Sequence, residues 1–355
     1  MSRPLKESIN TESVRTLATG INAAWRPFPV DSFVHAATVG LDRLELKNRV
    51  RHVSLALRHS LDLPFPQAAA ALSECTKHVR LDMWSGWPAT DYLGANGLDD
   101  LDDAMAAIAV LTPFATGEMA VRPYLNRYRD DALKIMRGWT ESPDEHLRRL
   151  ASEGARPRLP WASRVPWLME PGTTFPLLDL LREDPSEYVR RSVANHVNDV
   201  AKDHPEAAVS LLARWRAEGG VHVEKVLRHA ARGMLRTGNP AALSLMGAVP
   251  GSGAIKTLDL ASTLVPIGEQ LQFTIVVSAD APGPLILKYM ISREGSRRTF
   301  HLSSRTANTA DQAFTITKSH SFRPVTTRSE PEGPRTLQIV VNGTIRATAQ
   351  FTLTG

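Results

Sequence analysis

Apolar side chains recur at helical spacing through most of the chain, up to about residue 248. Residues 187–206, EYVRRSVANHVNDVAKDHPE, illustrate the pattern. Valines three or four residues apart predict one apolar seam along a helix: Val189, Val193, Val197 and Val200. Polar residues at four-residue intervals predict a stripe on another face: Arg191, Asn195 and Asp199. The pattern leaves open whether that stripe is a solvated surface or faces a ligand.

The spacing of apolar residues changes after VPGSGA (residues 249–254). Segments such as QFTIVVSA, LILKYMIS and AFTITKS alternate apolar and polar residues and are rich in Val, Ile, Thr and Phe. Asn342-Gly343 predicts a two-residue hairpin turn, because both residue types tolerate positive φ. About seven short strands in about a hundred residues are typical of an immunoglobulin-like β-sandwich.

The helical region contains an internal repeat. SPDEHLRRLASEG (142–154) and DPSEYVRRSVANH (184–196) share Pro, Glu and an Arg pair at an offset of 42 residues. AVRPYL (120–125) and VLRHAA (226–231) are shorter copies. A period of about 40 residues with paired helices is typical of HEAT repeats. We therefore predict a mainly α protein, a HEAT-like α-solenoid followed by an Ig-like β-sandwich, divided as follows: domain 1–248, linker 249–255 and domain 256–355.

Composition narrows the cellular context. The chain of 355 residues has 43% hydrophobic residues and one cysteine, which excludes a disulfide within the chain and suits a reducing cytoplasm. We expect no signal peptide and no membrane span. The formal charge of +5 is uneven, since residues 251–355 carry 11 Lys and Arg against 7 Asp and Glu. This excess permits nucleic-acid binding without requiring it.

Common catalytic motifs are absent. The histidines are scattered, and neither HExxH nor paired cysteines appear, so we expect no metal site and no cofactor. P-loop, dinucleotide-binding and G-x-S-x-G motifs are also missing. Cys75 lies in an Ala- and Leu-rich helix, which favours packing over nucleophilic catalysis.

Four residues near the repeats are candidates for function, although each also has a simpler interpretation. Glu153 could pair with Arg149 at i,i+4, and Asp199 could pair with Lys202 at i,i+3. Trp161 could fill the core, and Glu118 could interact with a helix dipole. Spacing alone does not decide between these interpretations.

Three segments resemble the AlkC-type branch of the HEAT-like DNA alkylation repair glycosylases. They are LASEGARPRLPWA (150–162), EYVRRSVANHVNDVAKDHPE (187–206) and TGEMAVRPYL (116–125). Some members of that branch also carry a C-terminal Ig-like domain. The resemblance implies a glycosylase that removes cationic alkylated bases, chiefly 3-methyladenine and 3-methylcytosine, from DNA. It implies functional roles at Glu118, Glu153, Trp161 and Asp199.

The chemistry of such a reaction agrees with these residue types. An N3-alkylated base is already a cation and leaves without protonation, so carboxylates need only stabilise an oxocarbenium-like sugar and orient water. We expect Asp199 to orient or deprotonate the water, with Glu118 and Glu153 completing the anionic site. Trp161 can contact the cation through cation–π attraction. Basic residues are expected to bind phosphate or to pair within the site: Arg122, Arg149, Arg156, Arg158, Arg191, Lys202, Arg293, Arg297 and Arg298.

The sequence therefore predicts a monofunctional glycosylase in base excision repair, monomeric and associated with the bacterial nucleoid. Its partner would be double-stranded DNA containing alkylated bases, bent if both domains hold it. Two alternatives remain at this point. One is a non-catalytic HEAT scaffold for a protein partner, and the other is a nucleic-acid shape-binding protein without chemistry.

Overall fold

The computed structural model describes residues 4–324 and 330–355. These residues form two compact units. The first unit contains residues 1–203 and 220–226, and the second contains residues 204–219 and 227–355. The boundaries predicted from composition, at residues 248 and 256, stay a prediction.

α-Helices make up most of the first unit. Its helices within the described residues are α1 (Thr11–Ala24), α2 (Val30–Thr38), α3 (Leu46–Ser60), α4 (Phe65–Cys75), α5 (Met83–Asn96), α6 (Leu101–Leu111), α7 (Arg122–Arg127), α8 (Arg129–Trp139), α9 (Glu145–Gly154), α10 (Phe175–Leu181) and α11 (Glu187–Asp203). Short 3-10 helices lie at Leu5–Ser8, Leu41–Arg43 and Pro166–Met169. Helices two apart in the chain pack together, including α3 with α5, α4 with α6 and α9 with α11. Such packing between helices two apart in the chain is expected when helix pairs stack on one another.

The first arginine of each repeated pair has the same structural task. Arg148 donates to the carbonyls of Ser142 and Pro143 and to the carboxylate of Asp184. Arg190, 42 residues later, donates to the carbonyls of Asp184 and Pro185. Each guanidinium thus ties a helix to the segment just before it. The segment 184–186 lies outside α11, which begins at Glu187.

The second unit combines helices with the β region. Its helices are α12 (Pro205–Glu218), α14 (Pro240–Leu245) and the later part of α13 (Val223–Thr237). Its strands are β1 (Ala254–Leu260), β2 (Leu264–Pro266), β3 (Gln270–Ser278), β4 (Gly283–Arg293), β5 (Ser296–Ala307), β6 (Ala313–Ser321), β7 (Gly333–Val341) and β8 (Thr344–Thr354). One sheet has the order β1-β3-β6 and the other β2-β8-β7-β4-β5. The predicted sequence of a helical region followed by a β region is confirmed.

The two sheets share one hydrophobic core. Alternate residues of β3 and β4, such as Phe273, Ile275, Leu285 and Leu287, are buried in it. The two-residue turn between β7 and β8 contains Asn342 and Gly343 at φ of 45° and 86°, as its sequence predicted. Eight strands are present in the described residues, one more than the expected number, and β2 is only three residues long.

The structure bears on two further predictions, one about Cys75 and one about membrane-spanning helices. Cys75 is fully buried, and burial raises the pKa of its thiol to about 12, which agrees with a packing role. Of the helices in the described parts of the chain, none is long and apolar enough to cross a membrane.

Candidate active site

The predicted acidic residues lie in three segments of the first unit. These segments come together at the end of α9. Glu118 precedes α7, Glu153 lies in the last turn of α9, and Asp199 lies in the second half of α11. One glycine permits the close approach of two of these segments. A Cβ on Gly154 of α9 would lie 2.6 Å from Cγ2 of Val121, in the segment that carries Glu118.

Arg149 joins Glu118 to Glu153. Its Nη1 lies 2.9 Å from Oε2 of Glu118, and its Nη2 lies 3.5 Å from Oε1 of Glu153. The guanidinium also lies over the ring of Tyr188, with its Cζ atom 4.8 Å from the ring centroid. Burial lowers the pKa of Arg149, but the two carboxylates outweigh this effect and raise it, so the side chain stays charged.

Arg156 joins Glu153 to Asp199. Its Nη1 donates to Oε1 of Glu153 over 2.6 Å, and its Nε donates to Oδ2 of Asp199 over 2.8 Å. Its Nη2 is 2.8 Å from the same Oδ2 atom. Asp199 is only 1% exposed and Glu153 only 5% exposed, so this guanidinium offsets two buried charges.

Lys202 is the last charged residue of this chain of ion pairs and lies at the protein surface. Its Nζ donates to Oδ1 of Asp199 over 2.9 Å, and 51% of the lysine side chain remains exposed. We call the six side chains the acid–arginine network: Glu118, Arg149, Glu153, Arg156, Asp199 and Lys202. Carboxylates and cations alternate along it, and both pairings that offered a simpler interpretation, Arg149–Glu153 and Asp199–Lys202, are present within it.

Glu153 is held in its ionised form. Burial alone would raise the pKa of its carboxyl group, but Arg149, Arg156 and a 2.6 Å hydrogen bond from Ser192 lower it below its ordinary value of 4.5. Glu153 therefore carries a fixed negative charge at neutral pH.

His196 holds α11 against the end of α9, close to Glu153. This residue was not among the candidates selected from the sequence. Its Nδ1 lies 3.0 Å from the carbonyl oxygen of Ser152, and its Nε2 lies 2.9 Å from the hydroxyl of Thr174. Burial lowers its pKa to about 4, so the ring is neutral and can donate to one partner while accepting from the other. It ties α11 to the end of α9, which carries Glu153.

Trp161 lies on the connection between α9 and the following 3-10 helix. It is 63% exposed, which contradicts the interpretation that it fills the core. Its φ is +65°, an unfavourable value for a bulky side chain. Nζ of Lys47 donates to its carbonyl oxygen over 2.7 Å and fixes the backbone there. A strained, exposed aromatic residue points to a use outside the core.

The predicted basic residues have three kinds of environment. Arg149, Arg156 and Lys202 lie inside the acid–arginine network. Arg122 is 1% exposed and donates to the carbonyls of Gly154, Arg156 and Ser163. It therefore orders the connection after α9, and its burial argues against the predicted contact with DNA phosphate.

The remaining predicted basic residues are accessible from solvent. Arg158 is partly exposed and pairs with both carboxylate oxygens of Asp203, and Arg191 is exposed on α11. In the second unit, Arg293, Arg297 and Arg298 are exposed at the β4–β5 hairpin. No cluster of His, Cys, Asp and Glu that could hold a metal ion occurs among the described residues.

Comparisons with known proteins show to which family this chain belongs. A family model for the C-terminal Ig-like domain of the uncharacterised protein YhaZ matches residues 254–355. The uncharacterised protein YhaZ of Bacillus subtilis strain 168 is 31% identical over 357 residues, with 98% of each chain covered. The solved structure of the Pseudomonas fluorescens alkylpurine DNA glycosylase AlkC, bound to DNA containing an abasic site analog, matches with a TM-score of 0.90. It is 32% identical, and the match covers 99% of this chain and 100% of that one. This chain belongs to the AlkC-type branch of the HEAT-like DNA alkylation repair glycosylases that carries a C-terminal Ig-like domain.

Proposed function

We propose that this protein is a monofunctional DNA glycosylase that removes cationic alkylated bases, 3-methyladenine and 3-methylcytosine, from double-stranded DNA in base excision repair. The observation that carries the proposal is the acid–arginine network, in which the acids Glu118, Glu153 and Asp199 are joined by the guanidinium groups of Arg149 and Arg156, both largely shielded from solvent. A non-catalytic scaffold has no need to gather three carboxylates around two such arginines, because shielded ion pairs contribute little net stability.

The proposed reaction needs no acid and no metal. As the bond between C1′ and the alkylated base breaks, its electron pair neutralises the cationic base, which departs. The sugar then carries positive charge, which the fixed carboxylates stabilise. A water molecule forms the new C1′–O bond and gives its proton to Asp199. Glu118 and Glu153 act as fixed negative charge, because arginines hold both of them. Asp199 differs, because its Oδ1 atom is held by Lys202, whose side chain is 51% exposed.

Release of free base from methylated DNA tests this function. Purified protein in EDTA is incubated with DNA treated with a methylating agent, and the released bases are separated and identified by mass spectrometry. We expect 3-methyladenine or 3-methylcytosine together with intact strands bearing abasic sites. The proposal fails if the protein binds the DNA but releases neither base, and strand cleavage would exclude a monofunctional enzyme.

The organisation of the chain follows from the same proposal. We infer that the helix pairs are HEAT-like repeats, that residues 1–248 form the catalytic domain, and that residues 249–255 link it to the Ig-like domain of residues 256–355. We further propose that the protein acts as a monomer at the bacterial nucleoid.

Trp161 provides a prediction in which activity and stability separate. Trp161→Gly is expected to lower single-turnover release of a cationic base by about 5- to 30-fold, the equivalent of a desolvated cation–π contact. The same change should leave the melting temperature unchanged or slightly higher, because glycine adopts the observed φ of +65° without strain. Base release and thermal unfolding measured on one preparation check both parts. A large fall in the melting temperature would instead indicate that Trp161 is structural.

The β4–β5 hairpin provides a second prediction, about the Ig-like domain. Arg293 and Arg297 lie on opposite sides of the two-residue turn and are exposed. Arg298 differs, because it lies 5.1 Å from the ring of Phe300 and 3.6 Å from Glu330. Changing both Arg293 and Arg297 to glutamine should reduce the slope of log affinity against log salt by about one for each DNA phosphate that these arginines neutralise.

Binding of duplex DNA between low and moderate salt measures that slope. Arg346→Gln, on β8 of the same domain, is the control, because this guanidinium donates to the carbonyl of Gly251. An unchanged slope in the double variant would show that the hairpin does not contact DNA.

A further inference from the structure

The two carboxylate oxygens of Asp199 are held in different ways. Oδ2 accepts the Nε–H of Arg156 and lies 2.8 Å from its Nη2. The Arg156 side chain is 11% exposed, so that oxygen is fixed within the protein. Oδ1 accepts from Nζ of Lys202, whose side chain is 51% exposed. Arginine binds through a rigid planar fork, whereas lysine is a point charge on a flexible stem. Oδ1 is therefore the oxygen whose partner can be exchanged.

Removal of that partner would leave the acid–arginine network with more negative than positive charge. Without Lys202, three carboxylates share the two guanidinium groups of Arg149 and Arg156. Arg122 adds positive charge nearby, but backbone carbonyls accept its hydrogen bonds, so it cannot take the place of Lys202 at Oδ1. A buried carboxylate oxygen that loses its cation has a strong tendency to acquire another.

We propose that Lys202 is an exchangeable counter-ion that occupies the position of the substrate's positive charge, and that it determines the selectivity of this site for cations. This inference rests on the proposed glycosylase function. In the free protein the ammonium group neutralises Oδ1 of Asp199. A cationic base, or the oxocarbenium-like sugar that follows it, displaces the ammonium group and takes over Oδ1. A neutral nucleotide offers no compensating charge, so Lys202 stays on Asp199 and the site remains closed to it.

Binding of two abasic analogues tests the exchange without depending on turnover. DNA with a pyrrolidine analogue carries a protonated ring nitrogen at the position of the sugar, whereas the tetrahydrofuran analogue is neutral. The measured quantity is the ratio of the two dissociation constants, neutral over cationic, obtained by fluorescence anisotropy. Lys202→Met removes the competing ammonium group, so this ratio should rise about five- to tenfold, between the effects of exposed and buried charge pairs.

A double-mutant cycle separates exchange from simple repulsion between Lys202 and the ligand. In the Asp199→Asn background the ammonium group has no carboxylate to neutralise, so adding Lys202→Met should leave the ratio unchanged. Repulsion at a distance would raise the ratio by the same factor in both backgrounds, and that result would overturn the proposal. An unchanged ratio for Lys202→Met alone would also overturn it.

Matched variants control for folding and for general charge. Lys225→Met removes another lysine from a pair with α11, but this pair, with Glu187, is exposed on both sides and should not affect the ratio. Lys202→Arg keeps the charge but can bind Asp199 through two N–H groups, so the ratio should fall below that of the wild type.

Base release from methylated DNA is measured on the same wild-type protein. If no base is released, the glycosylase function itself is wrong, whereas release with an unchanged ratio refutes only the role of Lys202.

Discussion

Asp199→Asn is expected to lower single-turnover release of 3-methyladenine by about 10²- to 10⁴-fold, the usual contribution of a positioned general base. The substitution keeps the size of the side chain and removes both its negative charge and its ability to take a proton from water. Asp199 is 1% exposed and hydrogen-bonded to Arg156 and Lys202, so its carboxylate has one defined orientation. Release is measured with enzyme in excess over methylated DNA, so that product dissociation does not limit the rate.

A second carboxylate on the same helix provides the control. Glu187 lies at the start of α11 and pairs with Lys225, and its side chain is 56% exposed. Glu187→Gln removes the same charge from α11 and should leave base release within about twofold of wild type, since exposed pairs contribute little. Equal activity of the Asp199→Asn variant and the wild type would remove Asp199 from the catalytic group.

The position of Asp199 also illustrates what periodicity could and could not predict. The apolar seam of α11 was correct, because Val189, Val193 and Val197 are fully buried. The polar stripe was correct only in part, since Arg191 is exposed and Asp199 is buried.

A different set of polar residues lies on the buried side of α11. Asp199 shares that side with Ser192 and His196, at i, i+4 and i+7, and Ser192 and His196 bond to residues of α9. A polar residue inside a packed helix pair has no signature in a hydrophobic pattern, because its partners come from another part of the chain. The spacing of 192, 196 and 199 was available in the sequence, but nothing there indicated that these residues are buried.

The repeated arginine pair shows a similar limit. The offset of 42 residues predicted equivalent helices, and the first arginines, Arg148 and Arg190, do make equivalent bonds. The second arginines differ, since Arg149 bonds to Glu118 whereas Arg191 is exposed. Repeats preserve the interactions that build the fold, and a site arises where one copy departs from them.

The β region was easier to predict because its signals are local. Alternation places Phe273, Ile275 and Val277 on one face of β3, and all three lie in the core between the sheets. Asn342-Gly343 specifies its turn through the φ values of two adjacent residues. In contrast, no short segment predicts the left-handed φ of Trp161, whose carbonyl accepts a hydrogen bond from a residue as distant in sequence as Lys47.

Arg156→Met is expected to destabilise the first unit by about 3–5 kcal/mol at neutral pH, the usual cost of removing one partner from a buried ion pair. Methionine has a similar length and fills the space, so the effect reports on charge more than on packing. Glu153 and Asp199 would both lose the guanidinium group that they share. Chemical unfolding followed by circular dichroism measures the free energy, and a drop in melting temperature on the order of 10 °C should accompany it.

The destabilisation should depend on pH in a defined direction. In the wild type the folded-state pKa of Glu153 lies below its ordinary value of 4.5, so its contribution to stability is present above that value and is lost as the pH falls through the folded pKa. Without Arg156 the burial of the carboxylate is offset less, and its folded pKa rises. The difference in unfolding free energy between wild type and variant should therefore be greatest near pH 7 and shrink towards pH 4.

Arg158→Met distinguishes this explanation from a general effect of losing an arginine after α9. Arg158 also donates to a carboxylate of α11, that of Asp203, but side-chain exposures of 33% and 27% leave that pair in contact with water. Its loss should cost less than about 1 kcal/mol and vary little with pH. Two results would contradict this explanation: equal losses of unfolding free energy in the two variants, or a loss for Arg156→Met that does not change between pH 7 and pH 4. Either result would mean that the stability of the site depends on packing of the connection and not on the buried carboxylates. A large, pH-dependent cost confined to Arg156 would establish that the fold itself maintains the carboxylate of Glu153 in its ionised form out of water, as the proposed reaction requires.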